Sequence, residues 1–296
     1  MSASTPASIP PAERDPLLAR LANISEEDAW GGSRGAGVRV GIVDSGIEEG
    51  HAAIEGAVAG GIQVIMGPDG PVIEQVSSVR DDFGHGTACA GIIHRIAPEA
   101  KLYSIKVLGE YLSGKGEAFL AGLRWAIDNG MDVVNLSLGT TNRRFAEGFY
   151  ELVDRAYWAG CLLVAAANNV EPPSIPSIFS SLIAVGGRAF DDPLKFTFHA
   201  SRLIELDAHG IDVTCPWLDG TYRRVTGTSF ATPHVTGLVA RIRSKHPSLT
   251  PFQVKTVLCA IGRRNFEQVA HRARAGGSRA IRVRREHERA AAASAR

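Results

Sequence analysis

The chain has 296 residues, 45% of them hydrophobic and 21% charged, with a formal net charge of +1 at neutral pH. That length supports one large α/β domain or two small ones, and the near-neutral sum excludes a polyanion binder or an acidic disordered protein. The sum hides an asymmetry: residues 263–296 hold ten Arg and three Glu, a net of +7, which leaves residues 1–262 at −6.

Residues 1–36 are rich in Pro, Ser, Ala and Gly and read as an N-terminal extension with one short helix near Asp15–Leu21. The opening MSASTPASIPPAERDPLLARLANIS lacks a basic stretch followed by an apolar one, so a secretory signal is not expected and a cytoplasmic location is. From Val38 the pattern becomes short apolar runs separated by amphipathic segments. VRVGIV (38–43), KLYSIKVL (101–108), DVVNLSL (132–138), CLLVAAA (161–167) and SLIAVGG (181–187) read as strands, several apolar on both faces. The longest of these runs are strand-length, so no membrane-crossing helix is expected. Leu120, Leu123 and Ile127 share one helical face, and Phe145, Phe149, Leu152 and Ala156 another. This alternation predicts an α/β fold, a doubly wound, mostly parallel sheet with helices on both faces. A helix from about Ser229 to Lys245 follows. Thr250 then caps another with Pro251 at its first position, running to about Ile261. Residues 37–262 thus form the expected domain. The Arg/Ala-rich tail, 263–296, is too poor in apolar residues to build a core and is expected to be disordered. Cys89, Cys161, Cys215 and Cys259 form no CxxC pair, which fits buried free thiols in a reducing compartment rather than a disulfide framework or a zinc site.

Three segments carry chemistry. In VRVGIVDSGI, Asp44 falls at the carboxyl end of a buried strand, in a turn that Gly46 permits, where open α/β sheets place their sites. Taken alone, Asp-Ser-Gly is a turn cap. In DDFGHGTACAGII, Gly84 and Gly86 flank His85 and are expected to leave its imidazole accessible. The small run Ala88–Gly91 suits a helix pressed against the sheet, with Cys89 one turn after His85 and beside its ring. In VTGTSFATPHVTGLVA, Ser229 starts a helix, with Pro233 expected in the first turn. A hydroxyl there faces free backbone N–H groups and the positive dipole end, which suit a developing oxyanion. By itself that serine is an N-cap.

In combination and in this order, D-S-G, H-G-T-x-x-A-G and G-T-S-x-A-T-P-H resemble the three signatures of the subtilisin-like serine proteases. The likeness runs from about Val38 to Ile261 and includes APEAKLYSIKVLG, LVAAANN and SKHPSLTPFQVKTVL. The resemblance implies a serine endopeptidase with Ser229 as nucleophile, His85 as general base and acid, and Asp44 holding the imidazole. It implies Asn169 as the side-chain oxyanion donor, in a run where Asn168 replaces the family's usual glycine. It also implies that Ser137, Leu138 and Gly139 pair with extended substrate. With Ala165, Ala166, Ala167 and Asn168 they would line the pocket for the residue before the scissile bond.

Departures from the family pattern bear on function. The helix after His85 runs through His94-Arg95-Ile96 directly into Ala97-Pro98, leaving no room for the calcium loop of many relatives, so neither a metal site nor a cofactor is expected. The segment Val170–Leu182 is short and carries Pro172, Pro173 and Pro176, which remodels one pocket wall. Ser8-Ile9-Pro10-Pro11 echoes an inhibitory extension of intracellular relatives. The expected partner is a peptide or protein substrate; no nucleic acid is expected, while the basic tail offers a dock for an acidic partner. A dedicated processing protease for one precursor peptide is a variant of this reading. The alternative is a catalytically silent peptide-binding or regulatory pseudoprotease.

Overall fold

The computed structural model describes residues 16–75 and 80–269. Of the tail 263–296 expected to be disordered, residues 263–269 are helical, while the remainder and the Ile9-Pro10 segment lie outside the described residues. Eleven strands are present among them: β1 (Arg39–Asp44), β2 (Val58–Gly67), β3 (Gly70–Gln75), β4 (Lys101–Lys106), β5 (Val133–Leu136), β6 (Leu162–Ala166), β7 (Ile183–Arg188), β8 (Phe196–Phe198), β9 (Leu206–His209), β10 (Val213–Pro216) and β11 (Tyr222–Val225). The helices are α1 (Glu26–Trp30), α2 (His85–Ile96), α3 (Gly116–Asp128), α4 (Ala146–Trp158), α5 (Thr228–Lys245) and α6, which comprises residues 251–269.

Nine strands form one sheet in the order β3-β2-β4-β1-β5-β6-β7-β9-β8. Every pairing from β2 to β9 across that order is parallel, and only the edge strands β3 and β8 run antiparallel. The five strands expected from apolar runs are β1, β4, β5, β6 and β7, in the core of this sheet. The β2–β3 hairpin was not expected, although Pro68-Asp69-Gly70 marks its turn. The chain adds β2 and β4 on one side of β1 and β5 onward on the other. The crevice at the carboxyl ends of β1 and β5 is therefore a topological switch point.

Side chains alternate cleanly between two cores. Val40, Ile42, Leu102, Val133 and Val164 join one cluster with α2, α5 and α6; Val43, Ile105, Val134, Leu136 and Leu163 join another with α3 and α4. Phe149 and Leu123, both fully buried, anchor the second.

Two helix ends differ from expectation. α6 continues past Ile261 because its later residues still find partners: Asn265 Nδ2 donates to Phe196 O at 3.1 Å, and the Phe266 ring meets His199 edge-on. Before β1, the residues from Leu17 to Trp30 pack on the domain rather than hang free. Ile24 and Ala29 are fully buried, the Trp30 ring meets Phe196 at 6.3 Å, and Arg241 Nε donates to Ser33 O. A Ser25–Asp28 capping box starts α1.

Candidate active site

Asp44 ends β1 and is fully buried. The chain turns sharply after it because Gly46 takes φ +111°, with its Cα against the carbonyl of Arg80, where any side chain would collide. Gly86 presses the start of α2 just as closely on the Gly46 carbonyl, and Ser45 Oγ accepts the Gly86 N–H at 3.0 Å. These two contacts bring His85 to Asp44. His85 Nδ1–H donates to Asp44 Oδ1 at 2.8 Å and Oδ2 at 3.0 Å, while Oδ1 also accepts the Ser45 N–H at 2.8 Å. That fork fixes the tautomer and leaves the Nε2 lone pair as the base.

The imidazole is less accessible than its flanking glycines imply. His85 is only 4% exposed, because the Phe230 ring covers it at 5.1 Å while one edge lines the cleft. Burial alone would lower the pKa of His85, but the Asp44 carboxylate outweighs that and holds it well above 6.5. Asp81, which sequence reading passed over, builds the start of α2. Its Oδ1 accepts the N–H groups of Phe83 and Gly84, and its Oδ2 accepts the N–H and hydroxyl of Thr87. The signal was present in DDFGHGT: a carboxylate three residues before the helix cap.

Ser229 occupies the second position of α5, after Gly227 and Thr228. Pro233 is not in the first turn as expected but four residues after Ser229, in the helix interior. Its position has a consequence. Lacking an N–H, Pro233 leaves the Ser229 carbonyl outside the helix ladder. That carbonyl instead accepts from Ser137 Oγ at 2.8 Å and Cys89 Sγ at 3.7 Å. Ser137 Oγ is in turn held by Asn135 Nδ2 at 2.9 Å, and Asn135 Oδ1 accepts from Thr236 Oγ1 at 2.9 Å. Asn135 and Thr236 are fully buried, so this chain ties the tip of β5 to the first turns of α5 in a dry setting. Sequence reading missed both, because polar residues inside a strand and a helix carry no motif of their own.

Asn169 Oδ1 accepts the Thr228 N–H at 3.0 Å, and Thr228 Oγ1 donates to Ala167 O at 2.6 Å. The carboxamide is thereby oriented with its Nδ2 donors unpaired among the described residues, lining the same cavity as Ser229. Ser137, Leu138, Gly139, Ala166, Ala167 and Asn168 line that cavity as well. Ala165 does not. It is fully buried in the α3/α4 core, because strand alternation turns it away from the cleft. A second cavity, ≈ 350 Å³, lies on the His85 side of the Ser137–Gly139 edge and is walled opposite by Leu112–Gly116 and floored by Phe119. That opposite wall was not anticipated.

Cys89 lies beside the imidazole, as its spacing predicts: ligand atoms of Asp44, His85 and Cys89 fall within 4.8 Å of one another. Burial pushes the Cys89 thiol up, so it stays protonated at neutral pH. These three are the one grouping of potential metal ligands among the described residues. His85 Nδ1 is committed to Asp44, which fits a proton-handling pair better than a metal site. His234, in the serine motif, is a structural residue. Its Nδ1–H donates to Phe230 O at 2.8 Å, and burial lowers its pKa to about 3.

The model of the subtilase family matches residues 35–274. The chain belongs to the subtilase family of serine endopeptidases. It is 35% identical over 242 residues to subtilisin DY of Bacillus licheniformis, a match covering 77% of this chain and 84% of that protein. It is 34% identical over 248 residues to the minor extracellular protease Epr of Bacillus subtilis (strain 168), covering 79% of this chain but only 36% of the relative. Among solved structures, a cold-adapted subtilisin-like serine proteinase superposes with a TM-score of 0.66 at 26% identity. That match covers 77% of this chain and 83% of the other. The doubly wound α/β fold expected from the sequence is the fold of this subtilase.

Proposed function

We propose that this subtilase hydrolyses peptide bonds by acyl transfer, with Asp44, His85 and Ser229 as its working triad. The observation that carries the reading is the Asp44–His85 fork at 2.8 and 3.0 Å, in a cleft shared with Ser229. Extended substrate lies along Ser137–Gly139, which presents its carbonyl carbon to Ser229 Oγ. His85 Nε2 takes the hydroxyl proton as the bond forms and returns it to the leaving amine. Asp44 steadies the imidazolium between those steps. The oxygen of the attacked carbonyl gains negative charge facing Asn169 Nδ2 and the N-terminal end of α5. No metal or cofactor enters these steps. The Asp44–His85 fork supports this reading over the peptide-binding alternative, which has no use for an oriented base.

We infer further that the enzyme is a cytoplasmic processing protease. Four unpaired cysteines, three of them buried, support a reducing compartment. The restricted pocket described below supports a narrow substrate range. A fluorophosphonate probe tests the catalytic reading: it should label the full chain at Ser229, located by mass spectrometry, and should not label Ser229→Ala. Labelling elsewhere, or none, would refute it.

A further inference from the structure

The cavity on the Asn169 side of the Ser137–Gly139 edge, ≈ 320 Å³, is where the side chain before the scissile bond must enter if Ser229 and Asn169 act as proposed. Its lining includes Thr140, Asn168 and Ser174. Thr140 and Ile175 exchange backbone hydrogen bonds at 2.9 and 2.8 Å, which draws the Pro-rich segment across the pocket. Gly139 has no side chain, and a Cβ there would lie 2.8 Å from Ser174 Oγ, so the serine hydroxyl abuts the edge directly. Asn168, where a glycine is usual, is held by its Nδ2, which donates to Pro172 O at 2.7 Å. That bond leaves Asn168 Oδ1 as an acceptor without a partner among the described residues. Ser177 Oγ donates to Ser174 O at 2.9 Å, so the Ser174 hydroxyl must supply the proton in the long 3.5 Å contact with Ser177, a bond easily exchanged. Thr141 adds a further hydroxyl to the lining, and no residue of the lining is charged.

From this lining we infer that the enzyme cleaves after an uncharged side chain that both donates and accepts hydrogen bonds, the carboxamide of Gln or Asn. The inference rests on the hydrolase reading above. An amide N–H₂ pairs with Asn168 Oδ1, and the amide oxygen accepts from the Ser174 or Thr141 hydroxyl. A Leu or Phe would strip water from these groups and return nothing, and a charged side chain would enter without a counter-ion. A pocket that hydrogen-bonds its substrate discriminates far more strongly than one that only encloses it.

The test is a set of internally quenched peptides of one sequence, with Gln, Asn, Leu, Phe, Lys or Glu at a single position. Each is cleaved by the full chain, with the cut located by mass spectrometry. The expected kcat/KM for Gln or Asn is about tenfold or more above Leu and Phe, with Lys and Glu lowest. Asn168→Gly should erase most of that ratio by raising the apolar substrates, and Ser174→Ala should reduce it in the same direction. Both variants are checked for an unchanged melting point. Preference for Leu or Phe, a charged residue preferred, a ratio unaffected by both variants, or fluorophosphonate labelling with no cut after Gln or Asn would each overturn the inference while sparing the hydrolase reading. Loss of labelling as well would bring down the hydrolase reading itself.

Discussion

The two faces of the central sheet are built from the same strands and obey different rules. Toward α3 and α4, the buried residues of β1, β4 and β5 are, apart from Gly41, all aliphatic (Val43, Ile105, Val134 and Leu136), and the core that results holds Phe119, Leu123, Phe149 and Leu152. Toward α2 and α5, the same strands place Asp44, Ser104, Lys106 and Asn135, all buried, on the parity that elsewhere carries Val40, Ile42, Leu102 and Val133. The first face is packing alone. The second keeps its apolar half away from the cleft and carries polar groups toward the carboxyl end: Asp44 pairs with His85, Lys106 with Asp82 and the Arg80 carbonyl, and Asn135 with Ser137 and Thr236, while Ser104 Oγ has no partner among the described residues. A fold can hold costly polar burial in this way, provided it is confined to one end of one face.

That contrast can be broken by substitution, with effects on turnover that fall in steps. Ser229→Ala should lower kcat by about 10⁶, the scale known for loss of the nucleophile in subtilisin, without a change in melting point; steady-state hydrolysis checks this, and retention of a tenth of the activity would exclude the assignment. Asn169→Ala should cost about 10² to 10³ in kcat with KM nearly constant, since its donors act on charge that exists only in the transition state. A change confined to KM would remove it from that role. Asn135→Ala should cost roughly tenfold in kcat through displacement of Ser137 and Ser229, and about 1–3 kcal/mol of stability from polar groups left unpaired. Denaturant melts and kinetics on one preparation separate the two losses. Leu123→Ala, on the α3/α4 face, should leave kcat unchanged while costing about 2–5 kcal/mol of stability. If it damaged turnover as much as Asn135→Ala, the division between the faces would be false.

The same contrast explains what could be read from the sequence. The apolar face and the parallel strands were legible because alternation and run length have no competing cause there. The proposed triad rests on three motifs, two of them anchored by glycines that geometry demands, Gly46 and Gly86. Missed were groups whose role comes from the partner across space. Asn135 is an unremarked residue in a strand until Thr236 and Ser137 close on it. Pro233 lies a turn deeper in α5 than its motif suggests, and its freeing of the Ser229 carbonyl shows only in the contact with Ser137. Ala165 belongs to a motif run of which strand alternation admits only part to the pocket. The length of α6 depended on Asn265 finding Phe196, a contact 69 residues away in sequence.

The Asp44–His85 fork is the point on which the account turns, and the pH dependence of kcat/KM tests it directly. His85 must be neutral to accept the proton. Because Asp44 stabilises the imidazolium, the pKa is raised, activity is complete above it and is lost as pH falls through it. The account predicts an acid limb with an apparent pKa above 6.5 in the parent, and in Asp44→Asn a limb displaced to lower pH with kcat down by about 10⁴. A parent limb at or below 6.5, or one that stays in place in Asp44→Asn, would contradict it.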